Sequence, residues 1–201
     1  MTKAASDGKS AENGTNGPTR TALARVADST PARGLPPVHL WNPPLSGEMD
    51  LRITGDGTWV HEGREIAREG LVKLFASILK REGDRFYLVT PVEKWAITVE
   101  DAPFVAVDVN MSGHGETQQI TFTTSLGDTA TAGLDNPLRM AGDSTGPTPY
   151  VDIRAGLEAR IDRKSFYRLI EHGTTAQHAG EDWFGLWSSG VFFPLMRAAD
   201  L

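Results

Sequence analysis

Two stretches, Ile66-Ala67-Arg68-Glu69-Gly70-Leu71-Val72-Lys73-Leu74-Phe75 and Ile161-Asp162-Arg163-Lys164-Ser165-Phe166-Tyr167-Arg168-Leu169-Ile170, can be laid over one another position by position. In both, apolar side chains recur at the three- and four-residue steps that put them on one face of a helix. Each stretch follows a strand-like piece, Leu51-Arg52-Ile53 and Val151-Asp152-Ile153. Each precedes another, Asp84-Arg85-Phe86-Tyr87-Leu88 and Asp182-Trp183-Phe184-Gly185-Leu186, at nearly the same spacing. The bland alternative is that any two amphipathic helices look alike. Because the match continues into the following strand, we read a duplication. The expected fold class is therefore α+β, with duplicated strand-strand-helix-strand units and a mainly antiparallel β segment between them. Ligands often bind where such halves meet.

Working outward from the first copy, Asp50–Thr54 and Thr58–Glu62 flank Gly55-Asp56-Gly57 and read as a hairpin. Leu71, Leu74, Phe75, Ile78 and Leu79 extend the helical stripe over Arg68–Lys80, with Gly83 as its stop. Phe86–Thr90 and Glu93–Val99 read as strands on either side of Pro91. Phe104–Val109 and Gln119–Thr124 form a second hairpin over Gly113-His114-Gly115. Leu126–Pro149 reads as loop, with a short strand at Thr129–Ala132. The units expected are 35–110 and 111–201, preceded by a tail.

That tail, residues 1–34, has no aromatic side chain and is rich in Ser, Thr, Gly and Asn. It cannot bury enough apolar surface to offset its ordering entropy, so disorder is expected apart from a short helix at Thr21–Ala27. Its five basic and three acidic residues leave the rest of the chain with 15 basic and 23 acidic, within a net charge of −6. An acidic body repels phosphate backbones and excludes general nucleic-acid binding. The absence of cysteine removes disulfides, thiolate metal sites and thiol catalysis. No leader-like apolar segment and no run near the roughly 20 apolar residues of a membrane span is present, so a cytoplasmic protein is expected.

The entry to the body, Pro36-Pro37-Val38-His39-Leu40-Trp41-Asn42-Pro43-Pro44, is extended and stiffened by proline. Together with Leu74-Phe75-Ala76-Ser77-Ile78-Leu79, Thr90-Pro91-Val92-Glu93-Lys94, Val99-Glu100-Asp101-Ala102-Pro103-Phe104 and Val191-Phe192-Phe193-Pro194-Leu195, it resembles the domain-of-unknown-function family numbered 1285. The resemblance runs from about Leu35 to Leu195. It implies a bacterial, non-secreted α+β protein built on repeated motifs, with signalling as the role suggested for such proteins. It carries over no activity and no functional residue.

Catalytic and cofactor motifs are missing. Gly8-Lys9-Ser10 has the end of a phosphate loop, but Lys3 stands where the first glycine belongs. Gly55-x-Gly57 and Gly113-x-Gly115 lack a third glycine and read as hairpin turns. Trp187-Ser188-Ser189-Gly190 only superficially suggests a nucleophile elbow. The five histidines, at 39, 61, 114, 172 and 178, show no ligand spacing, so neither metal nor cofactor is expected.

Alternation along Glu93–Val99 puts Glu93 on a face with Trp95, Ile97 and Val99, and Lys94 on the other, toward solvent. Glu93 at that apolar edge is either a ligand-facing acid or half of a salt bridge to Arg52 or Arg85, the second being favoured. Trp41 and Trp187 lie beside loop-forming residues and could line a pocket. The expected binding surface is a cleft of Trp41, Asn42, Arg52, Glu93 and Trp187, converging where the repeats meet. The function expected is non-catalytic, a regulatory module binding an unknown small molecule or protein partner. The alternatives are an enzyme using Glu93 and Asp101, and a structural protein that pairs through its exposed edges.

Overall fold

The computed structural model describes residues 17–29, 34–143 and 146–200. Helix α1 (Arg20–Ser29) leads, through the short helical turn Val38–Leu40, into the first of two six-stranded sheets. There β1 (Leu45–Ile53), β2 (Trp59–His61) and β3 (Arg64–Glu65) form a meander running outward from the middle. Helix α2 (Glu69–Ser77) crosses to the far edge, and β4 (Leu79–Glu82), β5 (Arg85–Val89) and β6 (Lys94–Val99) run back inward. β6 lies parallel to β1, and every other pairing in the sheet is antiparallel.

The second sheet repeats this plan. β7 (Phe104–Ser112), β8 (Gln119–Thr124) and β9 (Thr129–Thr131) run outward. β10 (Leu138–Asp143), β11 (Gly146–Arg154) and β12 (Leu157–Ile161) run inward, and β12 meets β7 in parallel. Helix α3 (Arg163–Ile170) follows, then a separate antiparallel sheet of β13 (Thr174–His178), β14 (Glu181–Ser188) and β15 (Val191–Arg197).

The strand-strand-helix-strand repeat is thereby corrected. The similar units are the two sheets, each a pair of meanders closed by a central parallel contact. α2 joins the meanders of the first, whereas α3 follows the last strand of the second. Asp182–Leu186 lies in the third sheet and is no counterpart of β5. A helical stripe records one apolar face and not what that face packs on, which is why the two helices align without being equivalent. The first sheet closes at Val99 and the second opens with β7, which spans the 110/111 division read from the sequence.

Three local readings also change. Helix α2 stops at Ser77, and Leu79–Glu82 pairs with Arg85–Leu88 instead of continuing the helix. Ile78 and Leu79 are buried, and Gly83, at φ 60°, serves the β4–β5 turn. The β10–β11 hairpin occupies part of the expected loop. Its Pro147 and Pro149 pair with β10 alone, because β12 joins β11 only from Tyr150 onward, so their missing N–H groups cost no ladder bond on that side. Within the tail, the helix is present and attached. The Thr19 backbone N–H and hydroxyl donate to the two Glu93 carboxylate oxygens at 2.9 Å each, Ala22 is fully buried, and Leu23 packs on the core. The disorder expected for 1–16 and 30–33 lies outside the described residues.

Both sheets contribute to one core. In the first, α2 lies against the sheet, with Phe75 stacked over Trp59 at 6.5 Å between ring centroids. In the second, strand side chains do most of the filling, Phe104, Ile120, Phe122, Val151 and Leu157 being 2% exposed or less, and α3, packed on β7, adds the buried Leu169. Only residues 132–137 join β9 to β10, and they reach at most about 25 Å, barely the width of a flat six-stranded sheet. The sheet is curled, since β9 lies against β11, four places away in the strand order. Asp128, between β8 and β9, reaches Arg154 at the end of β11, 2.8 Å away.

Candidate functional site

The five residues expected to form a cleft are built into different parts of the fold. Trp41 is 8% exposed and belongs to the core, its carbonyl accepting from Lys80 Nζ at 3.0 Å. Asn42 is exposed beside it. Arg52 pairs with Glu100 at 3.4 Å on the surface of β1. Glu93 pairs with neither Arg52 nor Arg85. It caps α1 through Thr19 and accepts from Trp95 Nε1 at 3.3 Å. Trp187 packs against Phe192 at 5.3 Å on the third sheet. It alone of the five lines any of the three cavities described below. Lys94, expected toward solvent, lies over the Tyr87 ring and donates to Glu82 at 2.9 Å.

A cleft does exist between the units, at another place. Leu35–His39 of the entry, Ser77 and Leu79–Arg81 where α2 gives way to β4, and Arg154, Ala155 and Leu157 of the β11–β12 hairpin enclose about 440 Å³. A side chamber of about 180 Å³ shares Leu35, Ser77 and Arg154 and adds Lys73, Leu126 and Asp128. Proline fixes the wall made by Pro36 and Pro37, so that wall is ordered at little entropic cost. Ala155 and Gly156 form the two-residue turn, with φ of 49° and 77°. Left-handed backbone at an alanine costs about 1–2 kcal/mol, and such strain gathers at binding sites.

The polar groups of the wall also hold the units together. Arg154 donates to Asp128 and to the Ala76 carbonyl at the end of α2, both at 2.8 Å, and lies over the Phe104 ring. Burial lowers its pKa from the usual arginine range, and the Asp128 charge opposes that fall. Arg81 donates to the Gly83 and Gly156 carbonyls at 2.9 and 3.1 Å and lies 3.8 Å from Glu158. Lys80 and Lys94 share Glu82, and the Lys94 bond is the main reason that carboxyl is held below its usual range.

Two further places carry polar groups. Asp101, from the link between the sheets, accepts from the Tyr150 hydroxyl at 2.6 Å and lies 3.4 Å from Arg160. Burial, and then the Asp101 hydrogen bond, push the Tyr150 pKa up to about 12. Both carboxylates of the enzymatic alternative are thus held by protein groups, Glu93 by Thr19 and Asp101 by Tyr150. An open depression of about 540 Å³ is lined by His114, Glu116, Glu171, His172 and Trp187. Among the described residues, no three His, Asp or Glu side chains gather as a metal site, and no helix is long and apolar enough to cross a membrane.

The sequence signals for the inter-sheet cleft were its separate parts, the Pro36-Pro37 entry and the basic Lys80-Arg81 pair. Nothing local linked them to Arg154, which reaches the end of α2 by its bond to the Ala76 carbonyl.

Comparison with known proteins agrees with the two-sheet division. Residues 36–102 match the model of the DUF1285 N-terminal domain, a domain of unknown function. Residues 103–195 match the DUF1285 C-terminal domain, of a protein of unknown function. The crystal structure of a DUF1285 family protein from Silicibacter pomeroyi DSS-3 is 58% identical, covering 89% of this chain and 96% of that one, with a TM-score of 0.80. A DUF1285 family protein from Shewanella baltica OS155 is 27% identical over 62% of this chain and 92% of that one, with a TM-score of 0.50. No curated protein matches.

Proposed function

Starting from a chain that belongs to the DUF1285 family, we infer that it is a non-catalytic regulatory module that binds a small molecule in the cleft between its two sheets. One observation carries this reading. The cleft wall comes from the entry segment, the edge of the first sheet and a hairpin of the second, so one ligand would touch all three. Its volume of about 440 Å³ suits a small organic ligand, as binding cavities commonly measure about 300–1,000 Å³. A ligand seated there would favour whichever arrangement of the two sheets binds it better, which is what a regulatory response requires.

Native mass spectrometry of the purified protein would show a co-purified molecule. Thermal-shift screening of wild type against Ala155→Trp would locate it. Ala155 is exposed at the cleft and already has a positive φ, so the indole adds bulk without a new backbone conformation. Compounds that raise the wild-type melting temperature are expected to leave the variant unmoved. Compounds that shift both equally would place the site elsewhere.

A further inference from the structure

We propose that the inter-sheet cleft takes an amphipathic organic anion, a carboxylate or phosphate ester carrying an apolar body. This inference rests on the small-ligand reading above and adds the ligand's chemistry.

The charge on the wall is one-sided. Lys80, Arg81 and Arg154 line the main cavity and Lys73 the side chamber, against Asp128 as the lone carboxylate of both linings. This occurs in a chain whose net charge is −6. Arg154 is matched by Asp128 and Lys73 by Glu69, whereas Lys80 and Arg81 have partners that are shared. Glu82 serves both Lys80 and Lys94, and Glu158 serves both Arg81 and Arg139. Glu158 lies closer to Arg139, at 2.5 Å, than to Arg81, at 3.8 Å. Arg81 is therefore held mainly by two backbone carbonyls, which supply no negative charge. An incoming anion can bind Arg81 and Lys80 without leaving either glutamate unpaired, because Lys94 and Arg139 remain in place.

The rest of the wall is apolar. Leu35, Pro36, Pro37, Val38, Leu79 and Leu157 would face the ligand's body. Leu35 is 43% exposed, so a ligand's apolar body would take surface now facing water out of contact with it. A bare inorganic anion would leave this wall unused, and a neutral hydrocarbon would leave the cationic surplus unused. A ligand with both parts uses both.

The test titrates octanoate, 1-octanol and inorganic phosphate separately into the full chain, following thermal shift and intrinsic tryptophan fluorescence. Octanoate is expected to bind at least about tenfold more tightly than 1-octanol, a difference of about 1.4 kcal/mol, and phosphate is expected not to bind measurably. Rising salt should weaken octanoate and spare 1-octanol, because added ions shorten the distance, about 10 Å at 0.1 M, over which the cationic wall attracts an anion. Lys80→Met should bring octanoate down to the level of 1-octanol. The salt titration reads the same preference without relying on a variant.

Equal affinity for octanoate and 1-octanol overturns the anion while leaving the cleft reading standing. Phosphate binding as tightly as octanoate overturns the apolar half of the proposal. If neither eight-carbon probe binds, or if Ala155→Trp binds them as wild type does, the cleft reading fails with it.

Discussion

The two six-stranded sheets share one strand plan and are filled in different ways. In the first, nine residues of helix α2 bridge the meanders and lay Phe75 and Val72 against the sheet. In the second, residues 132–137 make the same connection without a helix, the sheet is curled, and its own side chains close the centre together with Leu169 of α3. The strand order and the central parallel pair are what the units have in common. The helix between meanders belongs to one unit and not to the other.

The strongest way to break this comparison is to empty each core. Phe122→Ala, in the second sheet, should cost about 3–5 kcal/mol, the usual range for truncating a buried phenylalanine. Phe75→Ala on α2 should fall in the same range if the helix substitutes for the missing curl. Denaturant unfolding measures both. A Phe75→Ala cost below about 1 kcal/mol would make α2 a cover rather than a filling.

A smaller effect is expected at the pair that holds the curl. Asp128→Ala leaves the Arg154 guanidinium with the Ala76 carbonyl but without its carboxylate. Both side chains are about 20% exposed, at 20% and 21%, so water softens the loss. We expect roughly 1.5–3 kcal/mol, the scale of a hydrogen bond to a charged group. Arg154→Met with Asp128→Ala should cost less than the sum of the single changes, as expected for directly coupled residues.

Much of this arrangement was legible in the sequence. The β1–β2 and β7–β8 hairpins, helices α2 and α3 and the short β9 follow from turn glycines and apolar spacing, and the tail helix α1 was expected as well. The larger repeat was not legible, because strand order depends on contacts such as β12 with β7, whose partners lie more than 50 residues apart. Nor was the β10–β11 hairpin, where Pro147 and Pro149 read as breakers although they sit in a stretch paired on one side. The inter-sheet cleft was hidden for a related reason. Trp41 was read as lining a pocket, and Glu93 as paired with an arginine or facing a ligand, because their partners, the core and Thr19, come from distant parts of the chain. Arg154 looked like any strand arginine until the curl gave it a place.

The link between the sheets adds a titrating feature. Tyr150, on β11, has a folded pKa raised to about 12 by burial and by Asp101, against about 10 for an exposed phenol. Below pH 10 the hydroxyl keeps its proton in both folded and unfolded chains, so its contribution is fully present. Between about 10 and 12 the unfolded chain releases that proton first, and stability falls as pH rises. Thermal melts across this window should show the fall in wild type. Tyr150→Phe should show a shallower one. Parallel pH profiles for the two proteins would mean that the Asp101 pair has no part in alkaline unfolding.

The smallest expected effect compares the turns that bring each inward meander to its centre. Between β5 and β6 the link is Thr90–Glu93, and the buried Thr90 hydroxyl accepts from the Glu93 and Val92 backbone N–H groups at 2.9 and 3.3 Å. Between β11 and β12 the link is Ala155 and Gly156 alone, both at positive φ. The first turn is held by a side chain, whereas the second is held by backbone conformation, at an alanine that resists it. Ala155→Gly removes the crowding of the Cβ, worth about 1–2 kcal/mol. It also loosens the unfolded chain, which takes back about 0.5–1 kcal/mol. The net expected is a gain of roughly 0.5 kcal/mol, a rise in melting temperature of about 1–2 °C. Thr90→Gly, by contrast, should lower stability, since it deletes the hydroxyl that organises its turn. A loss on Ala155→Gly would mean that the methyl group contributes packing at the cleft wall greater than its backbone strain, making the strained turn part of the binding surface itself.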